Sequence, residues 1–313
     1  MKLFISTAPH IRCKDNTAAI MRDVIIALFP TTAAGIYLFG LNAALIVAIS
    51  TLSAVAAEWI WQKLAKQPVR ISDLSAAVTG LILGLNLPPS APWWLAVIGS
   101  FIAIILVKQM FGGIGGNFMN PAMLARAVLL ASWPVRMTAY TLPTYWSGAD
   151  AVSSATVLGG YEAGIQEMFL GNIPGSIGEV CKAAILIGFA YLLIKKVVSW
   201  RIPVIFMAVA ALCCWAFGSA GKGAFTGDPL FALLSGGVMF GAVFMATDYT
   251  TSPMTAPGQV VFAAGCGLMV AIIRRFGAYP EGVTYAILLM NILTPLIDKY
   301  IKPKVYGRVK ANA

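Results

Sequence analysis

Apolar runs recur along the chain at roughly 22–40, 43–61, 73–88, 92–110, 118–133, 180–197, 202–219, 229–247, 258–274 and 281–298, separated by polar turns. Runs of this length and polarity predict membrane helices, although several fall short of the ~20 residues that cross the hydrocarbon perpendicular to its plane. The pattern predicts an all-α integral membrane protein of about ten transmembrane helices. The fifth run is the least regular: Asn120-Pro121 opens it and Arg126 sits inside it. Charged or irregular segments persist at membrane depth only where they are buried in protein or line a cavity. The fifth run is therefore a site candidate, with a short helix whose arginine snorkels to the interface as the plainer alternative.

The longest polar interval, 134–179, divides the chain into 1–133, the loop itself, and 180–313. Basic residues orient the runs, because lysine and arginine gather on the cytoplasmic side. With the N-terminus cytoplasmic, 16 of the 22 basic residues fall inside, and the long loop falls outside with Asp150, Glu162, Glu167 and Glu179 against one arginine. Both termini are thus expected in the cytoplasm. Asp73-Leu-Ser-Ala-Ala-Val-Thr-Gly80 echoes Asp228-Pro-Leu-Phe-Ala-Leu-Leu-Ser-Gly236, and Lys108-Gln-Met-Phe-Gly-Gly113 echoes Arg274-Arg-Phe-Gly-Ala278. Two copies with an odd number of spans each must be inverted, so the echo predicts two inverted five-helix repeats, an arrangement that frames a central site.

Composition narrows the function. Hydrophobic residues make up 59% and charged residues 11%, with mean hydropathy +0.82, which excludes a soluble enzyme. No apolar core precedes residue 24, so the first helix is expected to serve as the insertion signal. The net charge of +10 fits basic cytoplasmic loops on anionic lipid better than nucleic acid. Five cysteines without C-x-x-C spacing argue against an iron–sulfur cluster held by this chain alone. A single histidine, His10, excludes a haem held by two histidines of the chain.

Ionisable groups within or at the ends of the runs are few: Glu58, Arg126, Asp73, Asp228, Asp248, Glu281 and Asp298. Glu58, Glu281 and Asp298 are candidate steps on an ion pathway, because an intramembrane carboxylate is costly without a partner or water. Asp73 and Asp228 fit helix N-terminal capping. The glycine-rich run 111–116 lacks the order of a phosphate loop, and its glycines let backbone approach a flat ligand or a neighbouring helix. Asn117 and Asn120 beside it could meet the polar edges of a planar heterocycle or serve packing alone. The turn 245–258 gathers hydroxyls around Asp248. In the long loop, Asp150-Ala-Val-Ser-Ser-Ala-Thr156 places a hydroxyl among small side chains, where a modifying enzyme could reach it or where it is an ordinary surface residue.

These residues also resemble a known family. Ala8-Pro-His-Ile-Arg12, the Asp73 and Lys108 blocks, Leu85-Asn-Leu-Pro-Pro89, Asn117 to Ala122, Asp150 to Thr156, Pro174 to Glu179, Phe244 to Asp248, Pro280-Glu-Gly282 and Pro295 to Asp298 occur in the order of the NqrB/RnfD family. Its members are membrane subunits of the Rnf complex and of the sodium-translocating NADH:quinone reductase, and the length is similar to the Rnf branch. The resemblance implies FMN bound through a phosphoester to Thr156 by a separate flavin transferase. Ser153, Ser154 and Ala155 would flank it, and Ser154 stands where glycine is usual. It also implies a second, non-covalent flavin (riboflavin), with Asn117, Asn120 and Asp248 as candidate contacts.

The expected role is a membrane electron-transfer subunit of an ion-translocating ferredoxin:NAD oxidoreductase in a bacterial or archaeal plasma membrane. It would couple electron flow to Na+ or H+ movement and be inactive alone. Iron–sulfur and other FMN subunits would supply what this chain lacks, and ferredoxin and NAD would bind there. A cofactor-free channel or transporter of similar architecture, or a structural anchor for redox partners, are the alternatives.

Overall fold

The computed structural model describes residues 16–145, 153–218, 223, 225–277 and 281–302. His10, Cys13, Asp150 and Lys222 lie outside the described residues, as do Lys2, Arg12, Lys14, Lys304, Arg308 and Lys310, six of the 16 basic residues on which the expected cytoplasmic placement of the termini rests.

The first apolar runs become α1 (Thr17–Phe39) and α2 (Leu41–Leu64). Asn16 caps α1 by accepting from the Ala19 amide at 2.7 Å, and Gly40, at φ 76°, turns the chain between the two helices. The third run is shorter than expected. Its helix α3 (Ser75–Leu85) has 11 residues, about 16 Å of rise. Leu74, not Asp73, holds the cap position of α3; Asp73 sits one residue earlier, where its carboxylate accepts from both the amide (2.9 Å) and the hydroxyl (2.6 Å) of Ser75. Next comes α4 (Trp93–Phe101), which continues as a π-helical stretch over Ile102–Gln109. After the glycine-rich turn, α5 (Pro121–Ser132) starts with proline at its first position and Asn120 as cap, accepting from the amides of Ala122 and Met123.

The polar interval holds α6 (Pro134–Met137), a two-residue antiparallel pair β1 (Tyr140–Thr141) with β2 (Ser153–Ser154), and α7 (Ile165–Leu170). The second half has α8 (Lys182–Ile194) and α9 (Arg201–Phe217). The run expected as one span over 229–247 is broken into α10 (Pro229–Leu234) and α11 (Val238–Phe240), the latter running on as π-helix to Met245. Gly236, at φ 62°, makes the break possible. Asp228 caps α10 through the amides of Leu230 and Phe231. Finally α12 (Ala256–Phe276) and α13 (Val283–Tyr300) close the chain.

The fold is thus mostly helical. α1, α2 and α12 are long and apolar enough to cross a membrane, and several shorter apolar helices accompany them. Outward-facing Phe29, Leu52, Ile187 and Leu212 are exposed on four different helices, a surface suited to lipid rather than water. Inside, α1 packs on α8, α2 on α3 and α4, α9 on α12, and α5 on α13.

Candidate functional site

Helix α5 runs past two cavities. Its first turn, with Asn120, Pro121 and Ala122, borders a cavity of about 380 Å³, while Arg126 and Leu130 border a second of about 210 Å³. Four residues separate Ala122 from Arg126, so the two walls are offset by about 6 Å along the helix axis.

The larger cavity brings together all three residues expected to meet a second flavin: Asn117, Asn120 and Asp248. Its walls are largely aliphatic, from Val78 and Ile82 of α3 and Val243 before the Asp248 turn, with Phe244 beside them. Asn120 is already committed, since its carbonyl caps α5 and its amide donates to the Met245 carbonyl at 3.2 Å. Asn117 donates to the Met119 carbonyl and to the Thr250 hydroxyl (2.9 Å). Asp248 accepts from the hydroxyls of Thr250 (3.1 Å) and Thr251 (3.3 Å). Desolvation pushes its carboxyl above the ordinary range, and these hydrogen bonds pull against that shift.

Lys108 also borders this cavity, and sequence reasoning did not single it out as a site residue. Its ammonium is held by Glu58 at 2.9 Å and by the Ser75 hydroxyl at 2.6 Å, while Gln109 and Gln62 donate to the same carboxylate. Glu58 itself lines neither cavity. Nor does Asp298, which accepts from the Met254 amide at 3.3 Å near the surface.

The smaller cavity is lined by Ala155 and Thr156 together with Arg126, Tyr140 and Glu281. Thr156 is half-buried at the start of a short 3-10 turn, Val157–Gly159, where its carbonyl accepts from the Gly159 amide at 2.8 Å. The β1–β2 pairing sets Ser154 against Tyr140 and so fixes the entry of this turn. Arg126 is buried, not snorkelling: it donates to Glu281 at 2.5 Å and to the side-chain amide oxygen of Asn86 at 2.8 Å. Its Nε has no hydrogen-bond partner among the described residues. Tyr140 donates to the other oxygen of Glu281 at 3.0 Å. Burial, and then the Glu281 carboxylate, push the Tyr140 hydroxyl well above its usual range, so it stays a donor.

Thus Glu281, expected as an ion step, shares a cavity with the expected flavin anchor, whereas Glu58 and Asp298 stand apart. Arg126 was legible as a charge inside an apolar run. Tyr140 and Asn86 carried no such signal, because only the fold brings them to it.

The sequence matches the NQR2, RnfD, RnfE family over residues 4–307. The chain belongs to this family. It is 48% identical to the D subunit of the Na(+)-translocating ferredoxin:NAD(+) oxidoreductase complex of Acetobacterium woodii, covering 99% of this chain and 97% of that one. It is 43% identical to the D subunit of the proton-translocating ferredoxin:NAD(+) oxidoreductase complex of Clostridium ljungdahlii, covering 97% and 96%. A third relative, the D subunit of an ion-translocating oxidoreductase complex of Stutzerimonas stutzeri, is 41% identical over 94% of this chain and 93% of its own. All three relatives are subunits of ion-translocating oxidoreductase complexes.

Proposed function

We propose that this chain is the membrane electron-transfer subunit of an ion-translocating ferredoxin:NAD oxidoreductase complex, carrying FMN on Thr156 and a second flavin in the larger cavity. The observation that carries the reading is that Thr156 lines a cavity together with Arg126, Tyr140 and Glu281. A cavity of about 210 Å³ is smaller than the ~300 Å³ at which whole-ligand pockets begin. It suits the edge of a ring whose phosphate tail stays outside on the threonine. The unpartnered Arg126 Nε is a donor without a protein acceptor among the described residues, which fits a wall meant to meet another group. The larger cavity, about 380 Å³ with aliphatic walls and a few polar groups, falls in the ordinary size range for a cofactor site.

Bound flavins would supply the ability to accept and pass on electrons across an insulating layer. The residues of this chain hold, shield and bias them. Apolar Val78, Ile82 and Val243 exclude water from the larger cavity; Tyr140 and Glu281 fix Arg126 in the wall of the smaller one. Helix α5 would keep both at a constant separation. The partners would be the other subunits of such a complex, with iron–sulfur and flavin groups and the ferredoxin and NAD sites, and a flavin transferase. The coupled ion is Na+ or H+, and the names of the first two relatives quoted above differ on this point.

The same proposal includes about ten membrane segments in two inverted five-helix repeats, 1–133 and 180–313, in a plasma membrane with both termini cytoplasmic and the 134–179 loop outside. Helix packing supports it. If α1 to α5 correspond to α8, α9, α10 with α11, α12 and α13, then the α2–α4 contact matches α9–α12, α1–α3 matches α8–α11, and α4–α5 matches α12–α13. The π-helical stretches do not correspond, since one follows α4 and the other follows α11.

Fluorescence of the denatured protein tests the central claim. After co-expression with the transferase, the native chain should give a fluorescent band under ultraviolet light, and Thr156→Val should give none. A dark native band would overturn the assignment.

A further inference from the structure

Behind the Thr156 cavity lies a network of charges larger than the cavity wall itself. Arg126 pairs with Glu281 at 2.5 Å. Arg274, on α12, donates to the Glu281 carbonyl (3.3 Å) and to the carbonyls of Ala232 (2.7 Å) and Ser235 (3.0 Å) where α10 breaks. Lys182, wholly buried at the start of α8, donates to the carbonyls of Glu179 and Gly236. A Cβ added at Gly236 would lie 2.9 Å from the side chain of Leu158, two residues beyond Thr156. Glu179 is buried, takes the Ser176 amide on one oxygen at 3.0 Å, and has no partner for the other among the described residues.

The side-chain charges do not cancel. Arg126, Lys182 and Arg274 carry three positive charges, and Glu179 and Glu281 carry two negative ones, so the network bears a net +1. A proton on Glu179 would only add to it. Lys182 and Arg274 spend their hydrogen bonds mostly on backbone carbonyls, which orient them without neutralising them. A fixed excess of positive charge in a site shielded from water favours a negative occupant much more than it would in bulk solvent.

We propose that this cluster, acting through Arg126 in the cavity wall, is the counter-charge for an anionic occupant and sets the redox poise of the ring tethered at Thr156. The inference rests on the flavin reading above. Two electrons and one proton, delivered by the reductant of the complex, leave a reduced ring with one negative charge, whereas the oxidised ring is neutral. A net positive wall therefore stabilises the reduced form selectively. Arg126 is a positioning residue here, not a group that exchanges protons or electrons.

Spectroelectrochemistry of the full chain, co-expressed with the transferase, tests this, with Thr156→Val as the reference that removes the tethered ring's contribution. Arg126→Gln takes the network from +1 to 0. It should disfavour the reduced ring about tenfold, which lowers a two-electron midpoint by ~30 mV. Glu281→Gln takes it to +2 and should shift the midpoint the other way, and Arg126→Lys should stay near the native value. A purely structural arginine would not produce opposite shifts from the two neutralising variants. Midpoints unmoved in both Arg126→Gln and Glu281→Gln would overturn the proposal. If Arg126→Gln does not accumulate, Glu281→Gln decides alone: a rise supports the counter-charge, and a fall or no change overturns it. A native chain without covalent fluorescence fails at the attachment itself, whereas a fluorescent chain with unmoved midpoints fails only at the counter-charge.

Discussion

Lys108 and Glu58 lie 50 residues apart and meet in the interior, both buried. Removing one partner of such a pair leaves an uncompensated buried charge, at a cost of about 3–5 kcal/mol, while removing both leaves far less to compensate. Lys108→Met is therefore expected to lower the thermal midpoint in detergent strongly, and Lys108→Met with Glu58→Gln to recover much of the loss. A double variant no better than the single would deny the pairing. Ser154 offers a milder test. The resemblance implies a glycine at this position, yet Ser154 is extended strand paired with Tyr140 and lacks the positive φ that would demand glycine. Ser154→Gly is thus expected to leave covalent fluorescence within about twofold of the native band. At this scale the sequence displayed charges but not partners. Arg126 and Glu281 were each conspicuous, but their contact spans 155 residues, and the Asn86 and Tyr140 that complete it are ordinary polar residues until the chain is folded.

Most helices are visible as apolar runs, because burial in lipid or protein requires continuous apolar surface whichever neighbour supplies it. Interruptions are harder to see. The break between α10 and α11 leaves carbonyls at Ala232, Ser235 and Gly236 that a helix would otherwise satisfy, and Arg274 and Lys182 supply the missing donors from distant parts of the chain. Hydropathy does not report such remote donors, so 229–247 reads as one span. Close helix contacts are similarly hidden. A Cβ at Gly80 would lie 2.7 Å from both the Ser50 carbonyl oxygen and the Ala54 side chain, and the Ser50 hydroxyl donates to the Gly80 carbonyl at 2.8 Å. Small residues let helices approach this closely in membranes. Gly80→Val should destabilise the α2–α3 contact by about 1–3 kcal/mol through overpacking. The check is a lower thermal midpoint than native, with Gly80→Ala between the two.

Across the whole molecule, the polar chemistry is segregated. Lys108, paired with Glu58 outside the cavity, and Asn117 belong with the Asp248 turn around the larger cavity, while Arg126, Glu179, Lys182, Arg274 and Glu281 gather at the Thr156 cavity and behind it. Helix α5 joins the two groups, entering at Asn120 and reaching Arg126 less than two turns later. Such a separation makes physical sense if the two ends meet different sides of a membrane, since each cavity then has its own access and an electron crosses between them without either opening through. The charge bias in the sequence predicts which end is which: the Thr156 loop outside and the end of α13 inside. Site-directed labelling decides it. In a chain with its five cysteines replaced, a cysteine at Glu162 should react in intact cells with a membrane-impermeant maleimide. A cysteine at Lys299, in the last turn of α13, should react only after the cells are opened. The reverse pattern would invert the molecule and put Thr156 on the cytoplasmic side, and equal labelling of both positions in intact cells would remove the membrane barrier that the two-cavity arrangement requires.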